Sequence, residues 1–260
     1  MVGDIATTFL LALFVLVVSV SLALVGLVLV QRRIPLELRQ SHNATIGIIY
    51  GTLHVTFGVI IGFTAFLVLD KYNESRHAVA REARDIVQIH RLAEGFPEAQ
   101  RDQIQDVARS YARVVVDEEW PLMREGQTSS SAETLAQELG SSTQDFEPST
   151  ESEKALYAQG LMRVVDLQEN REVRLLNARE GLPLILWIAL GILVTIIMLF
   201  TFFLGMESAR LHRWAVGMLA VGLTLTMFTV IALDDPFGGA FRVGPERFES
   251  ALETIEGNAS

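Results

Sequence analysis

Four long apolar runs, in two pairs on either side of a polar segment, constrain this chain more than any other feature. The runs cover residues 5–30, 45–69, 182–204 and 214–233. Each is long enough to cross a hydrocarbon core of ~30 Å at a rise of ~1.5 Å per residue. Only helices or closed barrels satisfy their backbone groups in lipid, and runs this continuous are typical of helices. The sequence therefore predicts an all-α protein with four transmembrane helices. The first run lacks a basic segment before it and a cleavage site, which predicts a retained helix.

The polar segment, residues 70–182, is predicted to be a helical-bundle domain formed by extensions of spans two and three. An apolar stripe over residues 79–90 continues the second run without a break. A capping box, Thr150-Glu151-Ser152-Glu153, begins a helix that continues to the third run. The middle of the domain is therefore expected to be built on helices that start in the membrane.

Two other parts of this domain give weaker patterns. An amphipathic stripe over residues 104–115 is predicted to end at Trp120-Pro121. Residues 124–149, rich in Ser, Thr, Gln and Glu, predict a linker or a loose short helix around residues 132–139. The predicted organisation is residues 1–69 for spans one and two, 70–182 for the polar domain, 183–233 for spans three and four, and 234–260 for a C-terminal turn and a short amphipathic helix.

The C-terminal segment opens with a helix stop and a turn. Asp234 is predicted to cap this turn, and Pro245 suits the first turn of a final helix. The acidic pairs Glu118-Glu119 and Asp234-Asp235 would hold Ca²⁺ only if other oxygens converged on them. The chain has no cysteine, and its histidines show no metal-ligand spacing. We therefore expect neither a metal nor another cofactor.

One face of span two is made of small residues around a single histidine. At ~100° per residue, the residues of this face fall in a narrow sector of the helix: Gly47, Gly51, His54, Gly58 and Gly62. Glycines spaced by four allow close helix packing in lipid. The alternative is that the face lines a cavity with His54 as an intramembrane titratable group, since such groups are costly in lipid unless paired or hydrated. The sequence leaves both interpretations open.

The opposite face of span two carries hydroxyls followed by bulky apolar groups. Its members are Thr45, Thr52, Thr56, Ile60 and Phe63. Hydroxyls leading to an apolar ring would suit a pore with a hydrophobic constriction. Alternatively, the hydroxyls bond back to their own helix and the apolar groups meet lipid. These five residues are the pore-lining candidates.

A distinctive segment near the C-terminus runs from Leu233 through Asp234, Asp235, Pro236, Phe237 and Gly238 to Gly239. Further short motifs are spread over the chain: Tyr50-Gly51, Gly62-Phe63, Glu82-Ala83, Tyr111-Ala112, Glu119-Trp120-Pro121, Arg171, Arg174-Leu175, Val243-Gly244-Pro245 and Phe248. In these residues the sequence resembles the bestrophin-like family of bacterial membrane proteins, which distantly resemble bestrophin anion channels. Bestrophins proper are pentameric anion channels in which spans two and three extend into a cytosolic helical domain. The resemblance thus implies a homo-oligomer, and a small anion as its ligand.

Loop charge and family resemblance disagree about orientation. The short loops, residues 31–44 and 205–213, carry Arg32, Arg33, Arg39, Arg210 and Arg213. The positive-inside rule places these loops in the cytoplasm, and the polar domain and both termini outside. The bestrophin arrangement would place the domain in the cytosol. In either case we expect a multi-pass protein of the bacterial inner membrane.

Two functions of different classes remain open on sequence grounds. The favoured one is an oligomeric anion channel with span two lining the pore. The alternative is a non-conducting membrane scaffold or sensor whose helical domain binds a partner. No P-loop, nucleophile elbow, HExxH or dinucleotide fingerprint is present, which argues against an enzyme. A net charge of −10 argues against nucleic acid, so the expected partners are the lipid bilayer and further copies of the chain.

Overall fold

The computed structural model describes residues 2–239 and 241–257, with side chains from Phe9 onward. Throughout this part of the chain the regular structure is helical. A 3₁₀ turn covers Ala93–Gly95, and a π-helical turn covers Val115–Glu119. The α-helices are α1 (Val2–Arg33), α2 (Leu36–Ser41), α3 (Asn43–Leu92), α4 (Glu98–Val114), α5 (Trp120–Met123), α6 (Ser130–Gln144), α7 (Glu151–Arg179), α8 (Leu184–Phe203), α9 (Ala209–Asp234) and α10 (Glu246–Gly257).

Four helices are long and apolar enough to cross a membrane. They contain the segments Phe9–Arg33, Asn43–Gly95, Leu184–Phe203 and Ala209–Asp234. The prediction of an all-α, four-span protein is confirmed. The second span is part of a helix of 50 residues, because the apolar stripe beyond the membrane segment continues its helical period.

The chain divides into two compact units. The membrane unit comprises the residues up to Asp70 together with Leu182–Asp234. The helical domain comprises Lys71–Gly181 together with the residues from Asp235 onward. The C-terminal segment, which we expected as a separate part, thus belongs to the helical domain. Residues 240 and 258–260 of that segment lie outside the described residues.

Two apolar clusters hold the membrane unit together. In the first, Phe57 and Ile61 of α3 pack with Leu190 of α8 and Leu223 of α9. In the second, α1 packs against α9 and Phe202 through side chains that include Leu27. Most other large apolar side chains of these helices point outward, as expected where lipid rather than water surrounds them.

In the helical domain, the segment expected to be a linker or a loose short helix is a full helix. α6 has 15 residues, and its N-cap Ser129 accepts a hydrogen bond from the Ala132 N–H at 3.2 Å. Ala132, Ala136 and Leu139 are buried in the domain core. The alternative of a helix around residues 132–139 is therefore confirmed, and α6 is longer than expected because small residues give a weak apolar stripe, although they allow close approach to another helix. The predicted capping box at Thr150 is confirmed, with both of its reciprocal hydrogen bonds formed.

The predicted helix stop at Trp120-Pro121 is wrong. The helix continues from α4 through the π-helical turn into α5, and Trp120 is buried. Pro121 directly follows the π-helical turn, as the second residue of α5. A π-helical turn inserts one residue into a helix, so it changes the direction in which the following side chains point.

Candidate functional site: the α3 membrane face and a buried charge cluster

Within the membrane unit, α3 packs on its own chain through a single stripe. Phe57, Ile61, Thr64 and Val68 are buried, and they recur at spacings of three and four residues. Most of the remaining surface of α3 in the membrane is exposed, including both faces that the sequence analysis identified.

The glycine face is open in the single chain. Apart from the helix's own backbone, no described atom lies within 4 Å of the position a Cβ would take at Gly47, Gly51, Gly58 or Gly62. No helix of the same chain therefore approaches this face closely. A contact with another copy of the chain, or a cavity, stays a prediction.

His54 lies at the edge of this face and is half-buried. Its Nδ1 is 2.9 Å from the carbonyl oxygen of Tyr50, so an N–H at Nδ1 donates to that oxygen. The two rings lie 4.0 Å apart between centroids. The Tyr50 hydroxyl accepts a hydrogen bond from Thr201 Oγ1 at 3.2 Å, which fixes the tyrosine against α8. The imidazole is thus held by its own helix, and its role as a titratable group stays a prediction.

The five pore-lining candidates lie in different surroundings. Thr45, Thr52, Thr56 and Phe63 are exposed, and the Phe63 side chain is 68% exposed. Ile60 is half-buried and packs against the core of the membrane unit. The hydroxyls of Thr52 and Thr56 donate to the carbonyl oxygens of Ile48 and Thr52, at 3.1 and 3.0 Å. Their oxygens can still accept from water, so the bonds to the helix leave a polar strip on this face.

The helical domain contains a buried charge cluster, which we define as Glu82, Tyr111, Glu119, Arg171 and Arg174. Arg174 Nε and Nη2 donate to the two carboxylate oxygens of Glu82 at 2.6 and 2.8 Å. Arg174 Nη2 also donates to Glu119 at 2.7 Å, and Arg171 Nη2 donates to the other oxygen of Glu119 at 2.6 Å. The Tyr111 hydroxyl donates to Glu82 at 2.5 Å. Four ionised side chains and one phenol are therefore connected in a single network.

Four helical segments supply these side chains. Glu82 is on α3, Tyr111 on α4, Glu119 at the end of the π-helical turn, and both arginines on α7. Arg171 and Arg174 are three residues apart, a spacing that places them on one face of α7. The extra residue of the π-helical turn changes the orientation of Glu119 relative to α4, and Glu119 is fully buried.

The charges of the cluster balance. Two carboxylates face two guanidinium groups, and Glu82, Glu119 and Arg174 are 0% exposed. Burial alone would lower the pKa of Arg174, but Glu82 and Glu119 raise that pKa overall well above its ordinary value. Burial raises the pKa of the Tyr111 hydroxyl, and the negative charge of Glu82 raises it further. The arginine thus stays charged and the tyrosine stays neutral, as the bidentate geometry requires.

Three aromatic side chains cover the charge cluster, and two of them belong to the C-terminal segment. The Arg174 guanidinium lies 5.5 Å from the centre of the Trp120 ring and 5.8 Å from that of Phe248. Phe237 packs edge-on against Trp120, with 5.9 Å between ring centroids. A cation above an aromatic face is attracted by the ring quadrupole, so these rings both exclude water and stabilise the charge.

The turn that presents Phe237 is capped by Asp235 rather than by Asp234. Asp235 Oδ1 accepts from the N–H groups of Phe237 and Gly238 at 3.1 and 2.7 Å. Asp234 Oδ1 accepts instead from the Leu182 N–H at 2.8 Å, within the membrane unit. The two adjacent acids therefore have separate structural roles. In the described part of the chain, no group of three or more His, Cys, Asp or Glu residues could hold a metal ion.

Comparison with known proteins identifies the family. The family model described as the Bestrophin-like domain matches residues 17–248. This chain belongs to the Bestrophin-like family. No curated protein matches its sequence.

Solved structures show the same fold. A variant of a bacterial bestrophin homologue from Klebsiella pneumoniae has a TM-score of 0.69 at 12% identity, over 96% of this chain and 99% of that chain. A second structure of a K. pneumoniae bestrophin homologue has a TM-score of 0.67 at 12% identity, over 94% of this chain and 96% of that chain. A variant described as a membrane protein reaches 0.70 at 12% identity, over 94% of this chain and 97% of that chain.

The residues that suggested the Bestrophin-like family are scattered in sequence, but many meet at the charge cluster. Glu82, Tyr111, Glu119, Arg171 and Arg174 form it, and Trp120, Phe237 and Phe248 enclose it. Sequence analysis did not predict that they meet. One signal was available, since Glu82 interrupts a stripe of apolar residues at a position that must face the domain core. A charge at such a position predicts a buried partner of opposite sign.

Proposed function

We propose that this protein assembles with copies of itself, as a pentamer, into a channel for small anions in the bacterial cell membrane. The membrane part of α3 surrounds the channel axis, with the Thr45–Phe63 face toward the pore. Membership in the Bestrophin-like family supports this proposal, because bestrophins proper are anion channels. Because bestrophins proper are channels rather than enzymes, we expect this protein to have no enzymatic activity.

The observation that carries the proposal is the open surface of α3. A helix that faced only lipid would need neither the hydroxyls of Thr52 and Thr56 on one face nor four glycines on another. In an assembly around an axis, the glycine face would contact a neighbouring copy closely. The hydroxyls of the opposite face would hydrate the pore. Residues 45–69 carry no acidic side chain, so nothing on this segment repels an anion.

The narrow part of the proposed pore is an apolar ring of Ile60 and Phe63. Such a constriction resists wetting, since water inside it lacks hydrogen-bond partners. In liposomes, Ile60→Ala combined with Phe63→Ala should therefore raise chloride flux above that of the unchanged protein. Phe63 is exposed and should contribute most of the increase, whereas the half-buried Ile60 also supports the core of its unit.

The matched control is Ile188→Ala with Phe203→Ala on α8. It removes the same side-chain types from exposed positions off α3, and it should leave the flux unchanged. Correctly assembled protein that shows no flux with or without the α3 changes, for several anions and at both acidic and alkaline pH, would contradict the channel. The scaffold or sensor function would then be the better explanation.

We propose that the helical domain lies outside the cytoplasm, because the positive-inside rule places the basic short loops in the cytoplasm. A single cysteine at exposed Ser130 should react in intact cells with a membrane-impermeant thiol reagent, since the chain has no other cysteine. A cysteine at Ser41, in a basic loop, should react only after lysis. The reverse pattern would reject the loop-charge argument and support the bestrophin arrangement, with the domain in the cytosol.

A further inference from the structure

A groove between α1 and α9 of the membrane unit has no assigned role. Its volume is ≈ 580 Å³, and its apolar lining includes Val20, Leu24 and Met218. Arg210, Arg213 and Trp214 line the end nearest the start of α9. Apolar walls that end in two cations and one tryptophan match the two parts of a phospholipid, an acyl chain and a phosphate.

The two arginines are available for an external anion. Both are exposed, and Arg213 Nε donates to the Ala209 carbonyl oxygen of its own helix, at 3.2 Å. Among the described residues, no ion pair involves Arg210 or Arg213, and the lining of the groove contains no acid. Paired guanidinium groups bind phosphate oxygens through several charge-assisted hydrogen bonds.

The position of the groove fits a lipid rather than a soluble anion. Trp214 is 73% exposed beside the arginines, where an indole ring suits the boundary between headgroups and acyl chains. Gly217 lies one helical turn further along α9, and no described atom lies within 4 Å of the position its Cβ would take. The missing side chain leaves room for a methylene chain against α9.

We propose that this groove binds an anionic phospholipid, with one acyl chain along Val20, Leu24 and Gly217 and the phosphate on Arg210 and Arg213. The site does not depend on conduction, so the inference goes beyond the proposed channel. Charge complementarity favours an anionic lipid over a zwitterionic one, because a choline group would bring a positive charge next to two guanidinium groups.

The test uses the full-length protein in detergent, with retained lipids counted by native mass spectrometry. Dioleoyl phosphatidylglycerol, dioleoyl phosphatidylcholine and the short-chain dihexanoyl phosphatidylglycerol are added separately. Two variants target the site, Arg210→Gln with Arg213→Gln for the headgroup and Gly217→Leu for the acyl chain. The controls are Arg101→Gln with Arg109→Gln in the helical domain, and Gly222→Leu, an equally open glycine of α9 outside the groove lining.

We expect phosphatidylglycerol to be retained in preference to phosphatidylcholine and to the short-chain lipid. The double arginine variant should bind it about 30-fold more weakly, since each basic residue near an anionic headgroup strengthens binding by about fivefold. Gly217→Leu should also lose the lipid, and both controls should keep it. Equal retention of the two long-chain lipids, equal binding of the short-chain lipid, or unchanged retention in both site variants would overturn the proposal. So would an oligomer that dissociates in Gly217→Leu while lipid retention stays unchanged, because the groove would then be an interface between copies.

Discussion

The helical domain buries paired ionised side chains within its core, whereas the membrane unit exposes large apolar side chains. In the helical domain Glu82, Glu119 and Arg174 are fully buried, and their charges are neutralised within the chain. In the membrane unit the side chains of Phe63 and Trp214 are 68% and 73% exposed. The helical domain thus pairs these buried charges within one chain, whereas the membrane unit leaves large apolar side chains on its outer surface.

Different solvents explain the difference. Water drives the apolar groups of the helical domain together. Removing a charge from water costs free energy, so a buried charge is tolerated only where it has a partner of opposite sign. In lipid, apolar surface carries no such penalty, so close packing and polar contacts decide where helices meet. Exposed apolar side chains on α3, α8 and α9 are therefore no defect of the membrane unit, whereas one unpaired charge in the helical domain would be.

The largest effect that would test this comparison is expected from Arg174→Met. The change leaves Glu82 without its bidentate partner and removes one of the two arginine partners of Glu119. Breaking a buried ion pair by removing one partner typically costs ~3–5 kcal/mol. We expect a large fall in the unfolding temperature of the helical domain, measured by thermal denaturation of the purified protein.

The control for this change is Arg179→Met on the same helix. Arg179 is exposed, and within the described residues its one hydrogen bond goes to Thr128 Oγ1 at 3.0 Å, so its loss should change stability by less than ~0.5 kcal/mol. If both variants unfolded at the same temperature, the charge cluster would not contribute to the stability of the helical domain.

A smaller effect is expected from Gly51→Leu and Gly58→Leu in the membrane unit. Within one chain no described atom of another helix lies within 4 Å of the Cβ position at either glycine, so the monomer should tolerate both changes. If these glycines contact a neighbouring copy, overpacking should cost ~1–3 kcal/mol and reduce the oligomer size measured in detergent.

Gly191→Leu on α8 is the matched control, since its Cβ position is equally open. An effect confined to the α3 variants would assign their face to an interface between copies. Unchanged oligomer size and thermal stability in both α3 variants would reject the packing role.

Local features of the fold could be predicted from the sequence. The length of the apolar runs predicted the four spans, and the Thr150 capping box predicted the start of α7. The length of α6 was underestimated because alanines such as Ala132 and Ala136 contribute little to an apolar stripe, although they pack closely. The π-helical turn has no sequence signature that propensity arguments detect.

The candidate site shows the same limit. Spacing along α3 identified its glycine and hydroxyl faces, but a sequence does not show which surface covers them. The charge cluster depends on contacts between residues far apart, such as Glu82 and Arg174, which are 92 positions apart. Helical periodicity places each side chain on a face, whereas the pairing of faces is a property of the whole fold.

The smallest predicted effect concerns pH and the outer edge of the charge cluster. Arg171 also donates to Glu133, whose side chain is 52% exposed. This hydrogen bond lowers the pKa of Glu133 below its ordinary value of 4.5. Since the folded pKa is lowered, the stabilisation is present above the unfolded pKa and is lost as pH falls through the folded pKa.

We therefore expect Glu133→Gln to cost less than ~1 kcal/mol at neutral pH, as is typical of exposed ion pairs. Below the ordinary pKa, the difference in unfolding free energy between the variant and the unchanged protein should shrink. Chemical denaturation at neutral pH and at successively lower pH values measures this difference. A difference that stayed constant with falling pH would mean that Glu133 stabilises the domain by packing rather than by its charge. The contribution of Arg171 would then depend on its buried bond to Glu119 alone.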